Sequence, residues 1–217
     1  MIHATLENIF VEYKFTIIVV VAILVILLFL YLAALCMHKK GQNFIIFSLA
    51  LIFVDFTFDC LFFLNNAKDV KSLYLPSLLV LAIPAMINFA SALYIMVYER
   101  INNPRFQNWL YDHSTFAAII TVCSSANIQA IRLIYSELFN CEIFKAGISI
   151  KSNKWIMWIS VLDAIIEDIP HFVIQLLYHK SQSYYSVIPF FTLVSSVISL
   201  LVAILGRFYD ALNASEF

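Results

Sequence analysis

The sequence predicts an all-α integral membrane protein, a polytopic bundle of about six transmembrane helices. Of its 217 residues, 63% are hydrophobic and only 12% are charged, and the mean hydropathy is +0.90, so the polar side chains are too few to coat a soluble domain of this size. Glycine (3 residues) and proline (5 residues) are scarce, which favours long helices over a barrel of short strands. The net charge of −1 gives no indication of a nucleic-acid-binding protein.

Apolar runs separated by short polar joints predict the individual spans. Each run is long enough for the roughly 20 helical residues that cross a hydrocarbon core of about 30 Å. The fourth run differs from the others because its second half is polar, so a pair of re-entrant pieces is the alternative there. We place the spans at residues 15–37, 43–65, 73–98, 115–139, 155–178 and 184–207, in one transmembrane domain (15–209) between a short N-terminal segment (1–14) and a short C-terminal tail (210–217).

Aromatic and basic residues near the span ends predict the interfaces and the orientation. Six spans would place Lys14, Lys68, Lys71, Lys145, Lys151, Lys154 and Arg207 on one side, and Lys39, Lys40, Arg100, Arg105 and Lys180 on the other. Because lysine and arginine concentrate on the cytoplasmic side, this difference favours cytoplasmic termini. Which membrane holds the protein is left open. The predicted aromatic anchors are Tyr13, Tyr74, Tyr98, Trp109, Trp155, Tyr184 and Tyr185.

Five acidic side chains stand inside the second and fifth predicted spans. Asp55 and Asp59 are four residues apart and share a helix face in the second span. In the fifth span four polar residues at four-residue spacing form a stripe about 18 Å long. Asp168 lies off this stripe, and Pro170 cannot donate a backbone hydrogen bond and is expected to kink the helix. The stripe comprises Asp163, Glu167, His171 and Gln175.

Other spans carry further polar positions. The third span contains Asn88 and a predicted kink at Pro84. The fourth span, taken as a helix, presents Ser125, Gln129, Arg132 and Ser136 on one face, with Asn127 and Glu137 beside it. The sixth span has a face of small residues suited to close helix packing, formed by Thr192, Ser195, Ser196 and Ser199.

The buried acids predict a polar seam that contacts water. A carboxylate at the centre of a bilayer costs about 2.5–3.5 kcal/mol on insertion scales. One arginine and one histidine cannot neutralise the five acids of the second and fifth spans, so the remainder must be protonated or must touch water, lipid headgroups or a cation. The other interpretation is that the polar groups only bond to each other and hold the helices together. We favour the hydrated seam.

The order of these motifs resembles the XK-related membrane protein family, whose best-studied members scramble phospholipids. Val54-Asp55-Phe-Thr-Phe-Asp59 is similar to the Asp-rich early span of that family, and Leu81-Ala-Ile-Pro84-Ala-Met-Ile-Asn88 to the helix with a Leu-Pro kink that follows it. Ile131-Arg132-Leu-Ile-Tyr-Ser-Glu137 resembles the next segment, in which Arg and Glu lie a few residues apart.

The resemblance continues in the last two spans. The stretch 162–176, with Glu167, Pro170 and Gln175, resembles the family's Glu-x-x-Pro-Gln-Leu-x-x-Gln helix, and 192–200 resembles its Ser-rich successor. The order agrees over roughly residues 45–205. Two departures are that His171 stands where the family usually has Gln and that Asp168 adds an acid. The sequence is also much shorter than typical members, and protease-triggered activation in a long C-terminal tail is not expected.

The resemblance implies a phospholipid scramblase that moves headgroups along a polar groove, with acyl tails left in the bilayer. No nucleotide site, metal or other cofactor is expected, since lipids follow their own gradient. The pathway residues would be Asp55, Asp59, Asn88, Gln129, Arg132, Asp163, Glu167, Asp168, His171 and Gln175.

Three alternatives remain open at this point. Buried carboxylates one turn from a histidine also suit a cation or proton transporter or channel. An intramembrane enzyme would need Glu167, Asp168 and His171 as metal ligands, but hydrolytic membrane zinc sites generally use more histidines than this, so we expect no enzyme. A partner-binding subunit without transport activity would contact a companion membrane protein, as several XK-related proteins do, or a second copy of the chain. Besides membrane lipids, these are the partners we expect.

Overall fold

The computed structural model describes residues 22–39, 41–181, 189, 191–194, 196–198 and 201. Within this part of the chain every regular element is helical, so the all-α prediction is confirmed. The predicted N-terminal segment, the start of the first span, the tail 210–217 and most of the sixth span, including Ser195 and Ser199, lie outside the described residues.

The described residues form α-helices joined by short turns and 3₁₀ segments. A π segment, Ala164–Asp168, joins α6 to α7 without a break in the helical backbone. The 3₁₀ segments that follow α5 are Ile128–Tyr135, Leu138–Asn140 and Glu142–Phe144. The α-helices are α1 (Ala22–Met37), α2 (Ile45–Asn65), α3 (Lys71–Asn102), α4 (Pro104–Asp112), α5 (Ser114–Cys123), α6 (Ile150–Asp163) and α7 (Ile169–Ser181).

Two helical stretches of the described chain are long and apolar enough to cross a membrane, namely Ile45–Asp69 (25 residues) and Lys71–Asn102 (32 residues). The first contains α2 and the turn after it, and the second is α3. Helices α1 and α5 are apolar but shorter. Helix α6, the π segment and helix α7 follow each other directly, and we call them together the α6–α7 rod. The rod carries three acids near its middle, which lowers its mean hydropathy. A bundle of six spans is therefore not confirmed.

The predicted fourth span, 115–139, is wrong as a continuous helix. Helix α5 ends at Cys123, and Asn127 has an extended backbone (φ −166°, ψ 133°) from which the 3₁₀ segment Ile128–Tyr135 begins. Serine and asparagine bond locally here, since Ser124 Oγ donates to the carbonyl of Ile120 and Asn127 Oδ1 accepts from the backbone N–H of Gln129. At 1.5 Å per residue α5 rises about 15 Å before the chain turns back.

Because the chain between them turns back, the C-terminal end of α3 and the N-terminal end of α6 lie at the same end of the bundle. The carboxylate of Glu99, fully buried near the end of α3, accepts hydrogen bonds from the backbone N–H of Ser149 (3.2 Å) and from the hydroxyls of Ser149 and Ser152. Asn103 Nδ2 donates to the carbonyl of Gly147 at 2.5 Å. These bonds attach the last turn of α3 to the first turn of α6.

The loop between α1 and α2 lies at that end too. The backbone N–H of Gln42 donates to the carbonyl of Ser136 (2.8 Å), and His38 Nε2 lies 2.9 Å from the carboxylate of Glu137. We call this the 38–44 end. At the opposite end, the 66–70 end, Tyr178 of α7 donates to Asp69 at 2.9 Å and accepts from Asn66.

This arrangement corrects the predicted distribution of basic residues. Lys145, Lys151 and Lys154 lie at the 38–44 end with Arg100 and Arg105, and not on the same side as Lys68 and Lys71. The reason is that the segment between α3 and α6 enters the bundle and returns, instead of crossing it. The charge count that favoured cytoplasmic termini therefore does not hold for these lysines.

A hydrophobic core beside this returning segment holds it in place. Ile128, Ile131 and Ile134 are fully buried against residues of α3, α5 and α6. Trp109, predicted to be an interfacial anchor, is instead buried in this core, and its Nε1 donates to the carbonyl of Glu142. The 3₁₀ segment is thus packed mainly through its isoleucines.

We expect residues 107 and 142 to be accessible from the same side of a membrane. In a variant whose four native cysteines are replaced, Gln107→Cys and Glu142→Cys should react from one side of sealed vesicles with a membrane-impermeant maleimide. Lys68→Cys, at the other end, should react only from the opposite side. All three wild-type residues are exposed. Labelling of position 142 together with position 68 would instead support the six-span arrangement.

Candidate functional site

A cavity of about 60 Å³ lies where α2, the turn after α5 and the π segment meet. This volume has room for about two to four water molecules. Four of the polar lining side chains are carboxylic acids from two distant parts of the sequence. The lining residues are Ser48, Leu51, Ile52, Asp55, Phe56, Asp59, Ala126, Asn127, Gln129, Glu167 and Asp168.

The turn after α5 brings backbone dipoles to the cavity. Ala126 and Asn127, at the tip of the returning segment, are lining residues. The carbonyl end of α5 carries partial negative charge, and it ends just before this tip. The N–H end of the 3₁₀ segment, which begins after Asn127, lies at the same tip and carries partial positive charge, so the two helix ends offset each other there.

The π segment places two acids side by side on the opposite wall. Pro170 has no N–H to offer the carbonyl of Ile166, and the preceding turn widens so that the N–H of Ile169 bonds to the carbonyl of Ala164. Two consecutive residues of this segment, Glu167 and Asp168, line the cavity.

Glu167 has an oxygen available to a ligand. The residue is 8% exposed, and its Oε2 has no hydrogen-bond partner among the described residues. Its carboxyl group is also within hydrogen-bonding reach of the Asp163 carboxyl. Because a bond between two carboxyl groups requires a proton on one of them, this pair holds a proton when it is formed.

Asp59 is held by two residues of α7. His171 Nδ1 lies 3.4 Å from Asp59 Oδ2, and Gln175 Nε2 donates to Asp59 Oδ1 at 3.4 Å and to Ser196 Oγ at 3.1 Å. Asp59, His171 and Gln175 are at most 4% exposed. The edge of Phe62 packs against the His171 ring. These contacts fix the Asp59 carboxylate at the cavity wall.

Two amide side chains join elements around the cavity. Asn88 of α3, fully buried, donates to Asp163 Oδ1 at 2.8 Å. Gln129 donates to Ser160 Oγ at 2.9 Å and joins the returning segment to α6. Helix α3 continues through Pro84, four residues before Asn88, and a kink there stays a prediction.

The structure brings most of the predicted pathway residues together. Asp55, Asp59, Gln129, Glu167 and Asp168 line the cavity, and Asp163, His171 and Gln175 contact lining residues. Asn88 lies one residue further away and bonds to Asp163. Arg132 is half-buried in the 3₁₀ segment and is not a lining residue. Their role in transport stays a prediction.

The predicted face of the fourth span is wrong because its spacing assumed an α-helix. A 3₁₀ helix has three residues per turn, so Gln129, Arg132 and Tyr135 share a face. Ser125 and Ser136 instead bond to the backbone carbonyls of Val122 and Leu133 at turns. The interpretation that placed four side chains in one row cannot apply.

Sequence reasoning missed two serines at the site. Ser48 lines the cavity, and Ser160 accepts from Gln129. Both had a detectable signal. Ser48 precedes Asp55 by seven residues, or about two turns, and Ser160 precedes Asp163 by three, so each lies on the polar face of its helix.

Comparisons with protein-family models, curated proteins and solved structures give no match for the chain. The function is therefore argued from the residues and geometry described above. Within the described part of the chain, no three His, Cys, Asp or Glu side chains are placed to hold a metal ion together.

We expect Asn88→Ala to destabilise the protein by about 1–3 kcal/mol, because it leaves a buried acid without its amide donor. Thermal or denaturant unfolding in detergent measures the loss. Asn102→Ala is the matched control, since among the described residues the side chain of Asn102 donates to the backbone carbonyl of Tyr98, on the exposed end of the same helix. Equal effects of the two substitutions would show that the Asn88–Asp163 bond has no special importance.

Proposed function

We propose that this chain is a multi-pass membrane protein of the XK-related type that moves phospholipids between leaflets, with the cavity as the place where the headgroup passes. One observation carries the proposal. Helix α5 ends and the α6–α7 rod widens into a π turn beside the same cavity, and four of the side chains that line this cavity are carboxylic acids.

The depth of Asp55 in the proposed membrane supports this interpretation. Asp55 lies ten residues into α2, about 15 Å along the helix axis, which is half of a hydrocarbon core of about 30 Å. Helix α5 reaches inward by the same distance. A carboxylate at the centre of a bilayer costs about 2.5–3.5 kcal/mol of insertion free energy. A cluster of acids at this depth is therefore costly, and it is expected where function requires it.

Irregular backbone at the same depth supports it as well. Within a membrane, non-helical backbone is tolerated where it is buried in protein or lines a hydrated cavity. The extended backbone at Asn127 meets this condition, because the residue lines the cavity. π turns are also found frequently at functional sites.

The positions of the family-like motifs are consistent with the proposal. Asp55 and Asp59 belong to the motif of the early span, and Glu167 to the motif of the later span, more than a hundred residues away in sequence. These motif residues share one cavity. Convergence of separate motifs is expected when both contribute to one site.

The mechanism follows from the charges. Water in the cavity lowers the cost of bringing a polar headgroup to this depth, while the acyl tails remain in the bilayer. The carboxyl groups of Asp59 and Glu167, which line the cavity, attract the ammonium of the headgroup. Lipid moves down its own gradient, so the step requires no other source of energy.

Proton or cation transport is the second candidate. The specific observation in its favour is that the His171 ring lies 3.4 Å from Asp59, while Asp163 and Glu167 share a hydrogen bond on the same rod. A chain of titratable groups of this kind suits a proton relay. Proton flux without lipid transfer would support this candidate over the first.

We expect Asp59→Asn and Glu167→Gln each to slow scrambling by about tenfold or more, because each replaces a carboxyl group of the cavity lining by an amide, which cannot form an ion pair with the ammonium of the headgroup. The measurement is dithionite quenching of fluorescent phospholipid in liposomes that contain the purified protein. Wild-type protein should allow quenching of clearly more than half of the fluorophore. Glu142→Gln, at an exposed site outside the cavity, should not change the rate.

Two controls make the result interpretable. Vesicles must be shown to be sealed to a soluble dye, and each variant must elute and unfold as the wild type does. Unchanged lipid transfer in both folded variants would contradict the assignment of the cavity. A plateau at half with the wild-type protein, together with pH-dependent proton flux, would favour the second candidate.

A further inference from the structure

Aromatic and basic side chains form an exposed surface where α3 and α6 meet. The rings of Tyr94 and Tyr98 stack with centroids 6.1 Å apart, and Tyr94 lies 5.9 Å from Trp155 on the neighbouring helix. Lys151 Nζ lies 4.6 Å from the centroid of the Tyr98 ring, within the range of a cation–π interaction. Lys154 and Trp158 continue the same side of α6. We call these six residues the aromatic–basic surface.

The surface is exposed despite its aromatic content. Tyr94 is 53% exposed, Trp155 49% and Trp158 65%. Large apolar rings exposed together mark a place of contact with another molecule or with a membrane. Tryptophan and tyrosine prefer the boundary between lipid and water, because their rings are apolar and their N–H or O–H groups need a polar partner.

Its position in the fold matches that boundary. Tyr98 and Lys151 lie at the 38–44 end, in the last turns of α3 and the first turn of α6. The hydrogen bonds of buried Glu99 to Ser149 hold these two helix ends together. The rings and the ammonium groups are therefore placed before any ligand arrives.

The positive charge of the aromatic–basic surface favours an anionic partner. Neither Lys151 nor Lys154 lies within ion-pair distance of a carboxylate of the described residues. This end of the bundle also carries more lysine and arginine than the other. In the described part of the chain the 38–44 end has Lys39, Arg100, Arg105, Lys145, Lys151 and Lys154, and the 66–70 end has Lys68, Lys71 and Lys180.

We infer that the aromatic–basic surface binds the headgroups of anionic phospholipids, with the rings at the level of the glycerol and the lysines at the phosphate. The inference depends on the membrane insertion proposed above and not on lipid transfer. Because anionic lipids are concentrated in the cytoplasmic leaflet and basic residues favour that side, the 38–44 end faces the cytoplasm.

The test is tryptophan quenching by brominated lipid. The full chain is reconstituted in nanodiscs of phosphatidylcholine that contain increasing amounts of phosphatidylserine or phosphatidylcholine with dibrominated chains. Trp155 and Trp158 are exposed and report on the surface, whereas Trp109 is buried. We expect brominated phosphatidylserine to compete for the site at least fivefold better than phosphatidylcholine, since each lysine near a membrane contributes about that factor.

Matched variants locate the effect. Lys151→Gln with Lys154→Gln should reduce the preference for phosphatidylserine to about parity. Lys68→Gln with Lys71→Gln removes the same charge from the 66–70 end and should leave the preference intact. Both variants change exposed side chains, so the fold is expected to persist, which matching unfolding temperatures would verify.

Two results would overturn the inference. One is equal quenching of the wild-type protein by the two brominated lipids, and the other is an equal loss of preference in both double variants, which would indicate net charge and not this surface. Scrambling is scored separately with dithionite. Loss of lipid preference with normal scrambling, or the reverse, therefore separates this inference from the proposed function.

Discussion

The structure depends on one constraint, that a polar group inside an apolar bundle needs a hydrogen-bond partner. Asp59 is bonded by Gln175 and approached by His171, Asp163 is bonded by Asn88, and Glu99 accepts from Ser149 and Ser152. Each of these contacts joins helices that are distant in sequence. The acids therefore determine which helices become neighbours, while the isoleucine-rich core beside them supplies most of the packing.

The same constraint explains why the helices are interrupted where they are. Pro170 removes a backbone donor from the α6–α7 rod, and the preceding turn is wider there; Glu167 and Asp168 of this turn line the cavity. Opposite them, local bonds of Ser124 and Asn127 end α5 and begin the 3₁₀ segment. Interrupted helices are usually a source of instability in an apolar environment. Here they supply polar walls for the cavity, which is why the candidate function is placed there.

The tie between α3 and α6 has consequences at both of the proposed sites. It brings Tyr98 and Lys151 together at the surface, and it requires the chain between them to enter and return at the same end. The segment between α5 and α6 turns back at the level of Asp59, so Asn127 and Asp59 line the same cavity. The cavity and the aromatic–basic surface are thus separate features of the bundle that share one structural cause.

The sequence by itself determined the helical class, because composition and scarce turn residues decide it, and it identified nearly all the polar residues around the cavity, because acids within apolar runs stand out whatever the fold. Periodicity also placed Asp163, Glu167, His171 and Gln175 on one side, and all four are buried. It did not determine the course of residues 115–139. The apolar run there is as long as a span, and hydropathy does not register the local bonds of Ser124 and Asn127 or the hydrogen bonds by which Glu99 holds Ser149. Only the tertiary structure decided that this segment returns to the 38–44 end, because the deciding contacts join residues about fifty positions apart.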